Sequence, residues 1–520
     1  MNTENKKKIV LISYKENIVI INDVILLIIF GITSYKSLFM RVVIVNSLIV
    51  YENIFNFAYD DIENVFNFFI NIITNNNYSM KYNEDKSKLN FKFNIYKKFA
   101  ILELIKKFNE NDKFDFVVEK SYDLIYNFNE KYNTNINYND SRISFYHNQI
   151  GNEGFKLLCN FKLDVVVLDL NDNNISDISP LNPDNLKNLQ KLYLNENKIE
   201  NINSLSNKNF QNLKVLNLSY NKILDISPLD KNKLQHLEIL NLNNNNILNI
   251  KPFENYKFEK LLKLDLSANN IVDISTFEST NFDELIELNL SKNNIKDISV
   301  FKKIHLSDLQ ILDLSYNLID KIIIKKSLSF RNLQFLFINN NQIKEIMLEA
   351  RLELNKMKTL DLSYNLLEKI KIVKCQKLKS LISLGLSYNQ IKDIMFFDYL
   401  ELKEIRILKL NNNAIEDINI LGEINIKKIS FLYLDNNNIS DIDVFQYSKK
   451  NFQYLKELQL NNNNIKSLRL FENLNLPRIT YLAIMNNPIN FNLQKNLDII
   501  YNLQNFYVKR GRCGLYVRYF

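Results

Sequence analysis

An asparagine that recurs at a fixed interval constrains this chain more than any other feature of its sequence. Each copy is the sixth residue of the pattern Leu-x-Leu-x-x-Asn-x-aliphatic or a close variant, as in residues 360–367. The interval is 24 residues at every step except one of 26, between Asn437 and Asn463. A fixed period in the twenties is typical of a solenoid, in which each repeat contacts only its neighbours. The column comprises Asn173, Asn197, Asn221, Asn245, Asn269, Asn293, Asn317, Asn341, Asn365, Asn389, Asn413, Asn437, Asn463 and Asn487.

The residues before each asparagine predict a short β-strand. In residues 213–218, Leu216 and Leu218 alternate, so a strand directs both side chains to one side. Stacked repeats would pair these strands in parallel and bury the leucines, with Ile223 and Ile226, in one continuous core. The chain must then turn inside the protein, where an asparagine amide can donate to and accept from unpaired backbone groups. We therefore predict that the asparagine column is structural.

These residues resemble leucine-rich repeats of the phosphatase-regulator and internalin types, with the pattern Leu-x-x-Leu-x-Leu-x-x-Asn-x-Ile-x-x-Ile. The resemblance implies an α/β solenoid with parallel strands on its concave face. Residues 141–490 would hold one atypical unit, built around Ile143 and Asn148, and fourteen regular repeats. Repeats poor in glycine and rich in Asn, Ile and Lys also resemble a leucine-rich-repeat gene family of insect poxviruses, which implies a viral protein with a role in host interaction.

The first 130 residues lack the repeat and predict a separate, small mixed α/β domain. Residues 9–13 and 18–21 are apolar runs around a polar turn, as in a hairpin. Residues 61–74 place apolar side chains at helical spacing. Residues 96–109 and 114–126 do the same. Residues 131–140 are the expected linker, and residues 491–520 the expected C-terminal cap and basic tail.

The order of these elements resembles the BTB/POZ domain. In that comparison, residues 34–39 belong to a first helix lengthened by residues 24–31, and residues 61–74 are the central helix. The resemblance implies a homodimer and docking to a cullin-type ubiquitin ligase, with the repeats selecting the substrate. The alternative is an unrelated domain that only caps the solenoid.

No membrane or nucleic-acid partner is expected. The apolar run at residues 18–32 is interrupted by Asn22 and Asp23, whereas a spanning helix needs about 20 apolar residues. The net charge of +8 is concentrated at the C-terminus, where four basic residues lie among the last twelve. We interpret them as a solvated end. They are Lys509, Arg510, Arg512 and Arg518.

The sequence contains no arrangement of residues typical of an enzyme, so we expect neither catalysis nor a cofactor. The histidines His147, His236 and His305 are scattered, and no cysteine pair has the spacing of a metal site. Three cysteines lying far apart favour a reducing, intracellular compartment, the cytoplasm. Asp-Ile pairs such as Asp297-Ile298 recur with the repeat and predict turns rather than calcium ligands.

A second apolar column lies on the outer side of the repeats. It includes Phe277 and Phe301, is broken by Lys325 and Glu349, and resumes at Val373 and Phe397. The break suggests a local kink or a changed contact on the convex side, with ordinary divergence as the alternative.

Function would then lie on the exposed side of the strands, in protein–protein recognition. Phe335 and Phe337 flank a core leucine, so one strand should present both. Exposed aromatic patches usually mark partner sites. The predicted contact surface comprises Phe335, Phe337, Asp361, Tyr364, Tyr388, Ile407, Phe431 and Tyr433. Three roles remain open: a cullin-ligase substrate adaptor, a scaffold or phosphatase regulator whose N-terminal domain caps the solenoid, and a secreted host-surface adhesin.

Overall fold

The computed structural model describes two compact units, Met1–Lys120 and Ser121–Phe520. Predictions for residues 9–13, 61–74 and 96–109 lie outside the described residues, as does most of the expected C-terminal cap. The described residues are 16–21, 24–34, 37–46, 49–58, 78–82, 89–93, 121–137, 139–206, 210–229, 236–254, 258–324, 330–349, 354–373, 376–467, 476–489, 498 and 516–518.

The first unit contains a six-stranded sheet. Its order is β4-β3-β2-β1-β6-β5, and every neighbouring pair is antiparallel except β1 with β6. The strands are β1 (Glu16–Ile21), β2 (Val24–Ser34), β3 (Ser37–Asn46), β4 (Ile49–Ala58), β5 (Tyr78–Tyr82) and β6 (Leu89–Phe93).

The predicted first helix, residues 34–39 lengthened by residues 24–31, is wrong. Strands β2 and β3 occupy these positions and pair from Ile25 with Val45 to Ser34 with Ser37. The physical reason is composition, because β-branched Val and Ile lose rotamer freedom in a helix and favour a strand. The BTB/POZ resemblance therefore loses the first of its helices.

The second unit is a solenoid of parallel strands, so the predicted fold of the repeats is confirmed. Fifteen three-residue strands stack in sequence order from Arg142 to Ala483, and Tyr516–Arg518 adds a sixteenth. They are β7 (Arg142–Ser144), β8 (Val167–Asp169), β9 (Lys191–Tyr193), β10 (Val215–Asn217), β11 (Ile239–Asn241), β12 (Lys263–Asp265), β13 (Glu287–Asn289), β14 (Ile311–Asp313), β16 (Phe335–Phe337), β18 (Thr359–Asp361), β20 (Ser383–Gly385), β21 (Ile407–Lys409), β22 (Phe431–Tyr433), β23 (Glu457–Gln459), β24 (Tyr481–Ala483) and β25 (Tyr516–Arg518).

The repeat asparagines join neighbouring repeats through their side-chain amides. The Nδ2 atom of Asn245 donates to the carbonyl oxygens of Leu218 (3.0 Å), Leu242 (3.1 Å) and Asn243 (3.3 Å). Its Oδ1 atom accepts from the backbone N–H of Ile223 at 2.9 Å. Leu218 and Ile223 belong to the preceding repeat, so one buried amide holds two repeats in register. The same contacts recur along the column, for example at Asn293.

The residue before each asparagine makes the sharp turn that admits the amide. In all fifteen repeats the φ angle of this residue lies between 51° and 59°. Ala268 has the smallest value, and His147 and Asn412 have the largest. This left-handed conformation costs most residues about 1–2 kcal/mol, and asparagine tolerates it better. Tyrosine, lysine and alanine nevertheless occupy several of these positions.

Outside the strands, seven of the described repeats form short 3₁₀ turns, and an aspartate or asparagine side chain caps the backbone of each turn. The Asp297 carboxylate accepts from the Ser299 N–H at 2.8 Å, as an Asp-Ile turn requires. The turns are Pro183–Asn185, Asn203–Leu205, Ser227–Leu229, Lys251–Phe253, Ser275–Ser279, Ser299–Lys302 and Met395–Tyr399.

Three consecutive repeats replace this turn with a strand. The strands β15 (Lys321–Ile324), β17 (Glu345–Leu348) and β19 (Lys369–Ile372) pair in parallel as a separate sheet, which we call the convex sheet. The outer apolar column is interrupted here, at Glu349, while Lys325 lies outside the described residues. The prediction that the column resumes at Val373 is wrong, because this side chain is 53% exposed; Phe397 is fully buried.

Helices cover the start of the solenoid. Helix α1 (Ser121–Tyr132) places Phe128 against Phe145 (5.4 Å between ring centroids) and Phe161 (5.9 Å) of the atypical first repeat. The second compact unit begins with this helix, at Ser121. Part of the predicted linker is tied to α1, because the Ile136 N–H donates to the Asn129 side chain at 3.0 Å.

Later helices are short. Helix α2 spans Gly151–Cys159, and one-turn helices α3 (Ile420–Glu423), α4 (Val444–Tyr447) and α5 (Lys449–Phe452) lie in later repeats. Within the described ranges, no helix combines the length and apolar character needed to cross a membrane.

Replacing Asn245 with alanine should lower the free energy of unfolding by about 3 kcal/mol, because it leaves several buried backbone groups without partners. Its neighbour Asn246 is exposed. Asn246→Ala is therefore the control and should change stability little. Urea denaturation followed by circular dichroism measures the free energy of unfolding of both variants. Equal losses in the two variants would show that the buried asparagine contributes nothing to stability.

Ala268→Gly should raise stability by about 0.5–1 kcal/mol, since glycine adopts a positive φ without strain. Ala414 follows its asparagine instead of preceding it, and its φ is not positive. Ala414→Gly should therefore lower stability through the greater freedom of the unfolded chain. Thermal melting compares the melting temperatures of the two variants. A melting temperature that falls in both would contradict backbone strain at Ala268.

Candidate functional site

The exposed side of the sixteen-stranded sheet, here called the strand face, is formed by the first and third residues of each strand. The middle residue of each strand faces the core, as with Leu312 at 1% exposure. The loop residue before each asparagine borders this face. The geometry leaves about two side chains per repeat free to contact a partner.

Strand β16 presents two phenylalanine side chains on the strand face. Phe335 and Phe337 are both half-buried, on either side of the core residue Leu336. Phe335 pairs with Ile311 on one neighbouring strand and with Thr359 on the other. The Nζ atom of Lys358 lies 5.9 Å from the centroid of the Phe335 ring, within the range of a cation–π contact.

The predicted strip is not continuous, because two strands of small side chains follow β16. Strands β18 and β20 place Thr359, Asp361, Ser383 and Gly385 on the strand face. The second apolar patch begins with Ile407 and continues on β22. At about 4.8 Å between strands, β16 and β22 lie roughly 19 Å apart. We call the depression over β18 and β20 the trough.

Two tyrosines border the trough where the chain leaves the strands. The rings of Tyr364 and Tyr388 stack with centroids 4.2 Å apart and planes 9° from parallel. Their side chains are 49% and 44% exposed. A hydrogen bond to Tyr388 is the main cause that raises the pKa of Tyr364 above its usual value.

Gly385 is required by the packing of the trough. A Cβ atom at this position would contact Asp361 Oδ1 and would lie 2.8 Å from Ser363 Oγ. Asp361 is held in place because its Oδ1 atom accepts from the Ser363 N–H at 2.9 Å. The glycine thus leaves room for an ordered carboxylate at the floor of the trough.

The second apolar patch consists of Ile407, Phe431 and Tyr433. Each side chain is partly exposed on the strand face, and Ile407 pairs directly with Phe431. Burial is the main cause that raises the pKa of Tyr433, followed by the nearby Glu457. The patch therefore offers two aromatic side chains, one with a phenol that stays neutral.

Other aspartates on the strand face accept hydrogen bonds from the nearby backbone, as Asp361 does. Asp265 accepts from the Ser267 N–H at 2.9 Å and from its hydroxyl at 2.6 Å, and burial is the main cause that raises its pKa. Among the described residues, no group of three His, Cys, Asp or Glu side chains could hold a metal ion.

The sequence reasoning missed the residues that make the trough. Thr359, Ser383 and Gly385 occupy strand-face positions of two adjacent repeats, and bulky residues stand on both sides of them. The signal was present as a run of small residues in the aligned columns. Lys358 was also missed, because only the fold shows its contact with Phe335.

Comparison with protein families identifies repeats within this solenoid. A model described as "Leucine Rich repeats (2 copies)" matches residues 165–207, and one described as "Leucine rich repeat" matches residues 187–247 and 331–391. The predicted leucine-rich repeats are thereby confirmed. A search of curated proteins finds no match.

Solved structures of leucine-rich-repeat proteins are also similar. An internalin (inlF) from Listeria monocytogenes str. 4b F2365 is 26% identical, with 68% of this chain and 86% of that chain covered and a TM-score of 0.46. The APL1 leucine-rich repeat domain is 20% identical, with 74% and 87% covered and a TM-score of 0.46. TLR13 in its complex with ssRNA13 is 24% identical, with 65% and 52% covered and a TM-score of 0.46.

Gly385→Ala should lower the free energy of unfolding by about 1–3 kcal/mol, because the added methyl group displaces the Asp361 carboxylate. In the background of Asp361→Ala the same substitution should cost less, since its main steric partner is gone. Urea denaturation of the two single variants and the double variant measures this coupling. Additive effects would show that the glycine and the aspartate do not share the site.

Proposed function

We propose that this chain of leucine-rich repeats is a non-enzymatic recognition protein that binds another protein through the strand face from β16 to β22. The observation that supports it most is the exposure of Phe335 and Phe337 side by side on one rigid strand. Aromatic side chains dominate the energetic centres of protein interfaces, and their cost in conformational entropy is small. A strand within a long sheet positions them without further ordering.

The shape of the surface suggests what the partner presents. The trough lies between Phe335 and Phe337 on one side and the second apolar patch on the other. Its floor contains the Asp361 carboxylate, and Tyr364 and Tyr388 border it. A protruding segment with an apolar side chain and a nearby lysine or arginine would satisfy this arrangement.

A more specific role, as an adaptor for a cullin-type ubiquitin ligase, depended on the BTB/POZ resemblance of the N-terminal unit. Because β2 and β3 replace the first helix of that resemblance, we assign recognition to the repeats and no ligase contact or dimerisation to the N-terminal unit. A binding scaffold or phosphatase-regulator type protein would use the same strand face. Cytoplasmic location remains a prediction. The secreted adhesin is the alternative, and it would require that the protein is exported.

The substitutions Phe335→Asp and Phe337→Asp, made together in the full chain, should remove at least nine-tenths of the partner bound, because truncating central aromatic residues costs about 2 kcal/mol or more each. The measurement is affinity capture from host-cell lysate, with quantitative mass spectrometry of the proteins retained by the original chain and by the variant. Both phenylalanines are half-buried on the surface, so the melting temperature should fall only slightly.

The matched control places two aspartates outside the strand face. Leu224 and Leu248 are each 56% exposed at equivalent positions after the asparagines. Leu224→Asp with Leu248→Asp should retain the proteins that the phenylalanine variant loses. Equal retention by the original chain and the phenylalanine variant would refute the proposed surface. A collapse of the melting temperature in the phenylalanine variant would instead show that these side chains belong to the core.

A further inference from the structure

A cavity of about 660 Å³ lies in the core of the solenoid, lined by residues of both the main sheet and the convex sheet. Strands β14, β16, β18 and β20 contribute to one wall, and β15, β17 and β19 to the other. Of the 29 lining residues, 22 are apolar. A volume of about 300–1,000 Å³ with mostly apolar walls is typical of small-molecule sites.

The cavity arises where the outer apolar column is interrupted. In the repeats before it, Phe253, Phe277 and Phe301 fill the space between the strands and the outer segment, each at most 4% exposed. In the repeats of the convex sheet, Glu349 and the exposed Val373 stand at the corresponding positions. The core there lacks the large side chains that close it elsewhere.

Core side chains around the cavity are correspondingly less buried than their counterparts in other repeats. Leu288 and Leu312 are 0% and 1% exposed, whereas the equivalent Leu336 and Leu360 are only partly buried. Among the described residues, eight apolar side chains are partly buried and packed against the core, and six of these line this cavity. The reduced burial is therefore a property of one site and not of the solenoid as a whole.

The cavity is elongated and its polar lining is grouped at one end. Four adjacent strands span about 14 Å at roughly 4.8 Å per spacing. Six of the seven polar lining residues come from residues 296–302 and 320–321, at the N-terminal end. Lys296 is paired there with Asp320, 3.3 Å from Nζ to Oδ2. Lys302 and Lys321 supply the other cations.

We propose that this cavity binds a single-chain amphiphile, namely a long-chain fatty acid. Its alkyl chain would lie between the two sheets, against Leu336, Leu348, Leu360 and Ile370. Its carboxylate would lie at the end where Lys302 and Lys321 stand. An alkyl chain suits the elongated apolar walls, and a single negative charge suits the two lysines.

The test uses the full chain, stripped of lipid, and the fluorescence of cis-parinaric acid. We expect saturable binding that palmitate displaces. Leu348→Phe fills the cavity from β17 and should weaken binding at least fivefold, without lowering the melting temperature. Leu248→Phe makes the same substitution at an exposed position and should leave binding unchanged.

The head-group assignment has its own test. Lys302→Met with Lys321→Met should weaken palmitate binding by about three- to tenfold, the loss expected for a partly exposed charge pair. Binding of hexadecan-1-ol, which lacks the charge, should not change. Lys303→Met is the control, since Lys303 pairs with Glu278 at 2.7 Å and does not line the cavity.

Three results would overturn the proposal. Parinaric acid fluorescence that does not saturate, or that palmitate does not displace, would refute the site. Equal affinity in the original chain and in a stably folded Leu348→Phe variant would place the ligand elsewhere. An equal loss of palmitate and hexadecan-1-ol binding in the lysine variant would refute the carboxylate. None of these readouts involves the strand face, so the protein-binding proposal is tested separately.

Discussion

The side-chain amide of the repeat asparagine is the interaction on which the rest of the structure depends. The main-sheet strands contain only three residues each, so their own hydrogen bonds hold neighbouring repeats together weakly. Each asparagine adds bonds to its own turn and to the repeat before it, inside the protein where unpaired backbone groups are costly. The left-handed residue before it completes the turn. Strand register, and therefore the position of every strand-face side chain, follows from this contact.

Because the asparagine and the core leucines stabilise each repeat, residues at the other positions of the repeat can vary. On the strand face, β16 presents two phenylalanines, whereas β20, two strands further along the sheet, presents a serine and a glycine. On the outer side, the same 24-residue repeat forms a 3₁₀ turn in seven of the described repeats and a strand in three. The specific features of this protein therefore lie at positions that the repeat does not constrain.

The sequence predicted what periodic constraints determine. The asparagine spacing located the strands of the repeats, including the atypical first unit at β7, because every repeat supplies the same evidence again. The N-terminal unit has no such repetition. Its apolar runs fit a helix or a strand by pattern alone, and the order of elements led to a helix where Val and Ile form β2 and β3.

Other features depended on contacts that no local pattern reveals. The break at Glu349 was visible in the sequence, but a convex sheet requires three neighbours to change together. The left-handed conformation of the residue before each asparagine could not be predicted from residue type, because tyrosine, lysine or alanine occupies this position in several repeats. The trough could not be predicted from its own small residues. It exists only because bulky side chains stand on the strands on either side of them.

The trough and the cavity are formed by the same strands. In β16 and β18, the outward-facing Phe335, Phe337 and Asp361 belong to the strand face, while Leu336 and Leu360 line the cavity from the opposite side. A strand is one residue thick, so a ligand that shifts the leucines also shifts the side chains that alternate with them. If a bound acyl chain alters affinity at the strand face, thermodynamic linkage requires the partner to alter affinity for the acyl chain by the same factor. Such coupling would need no pathway across the solenoid, because the two sites share a wall.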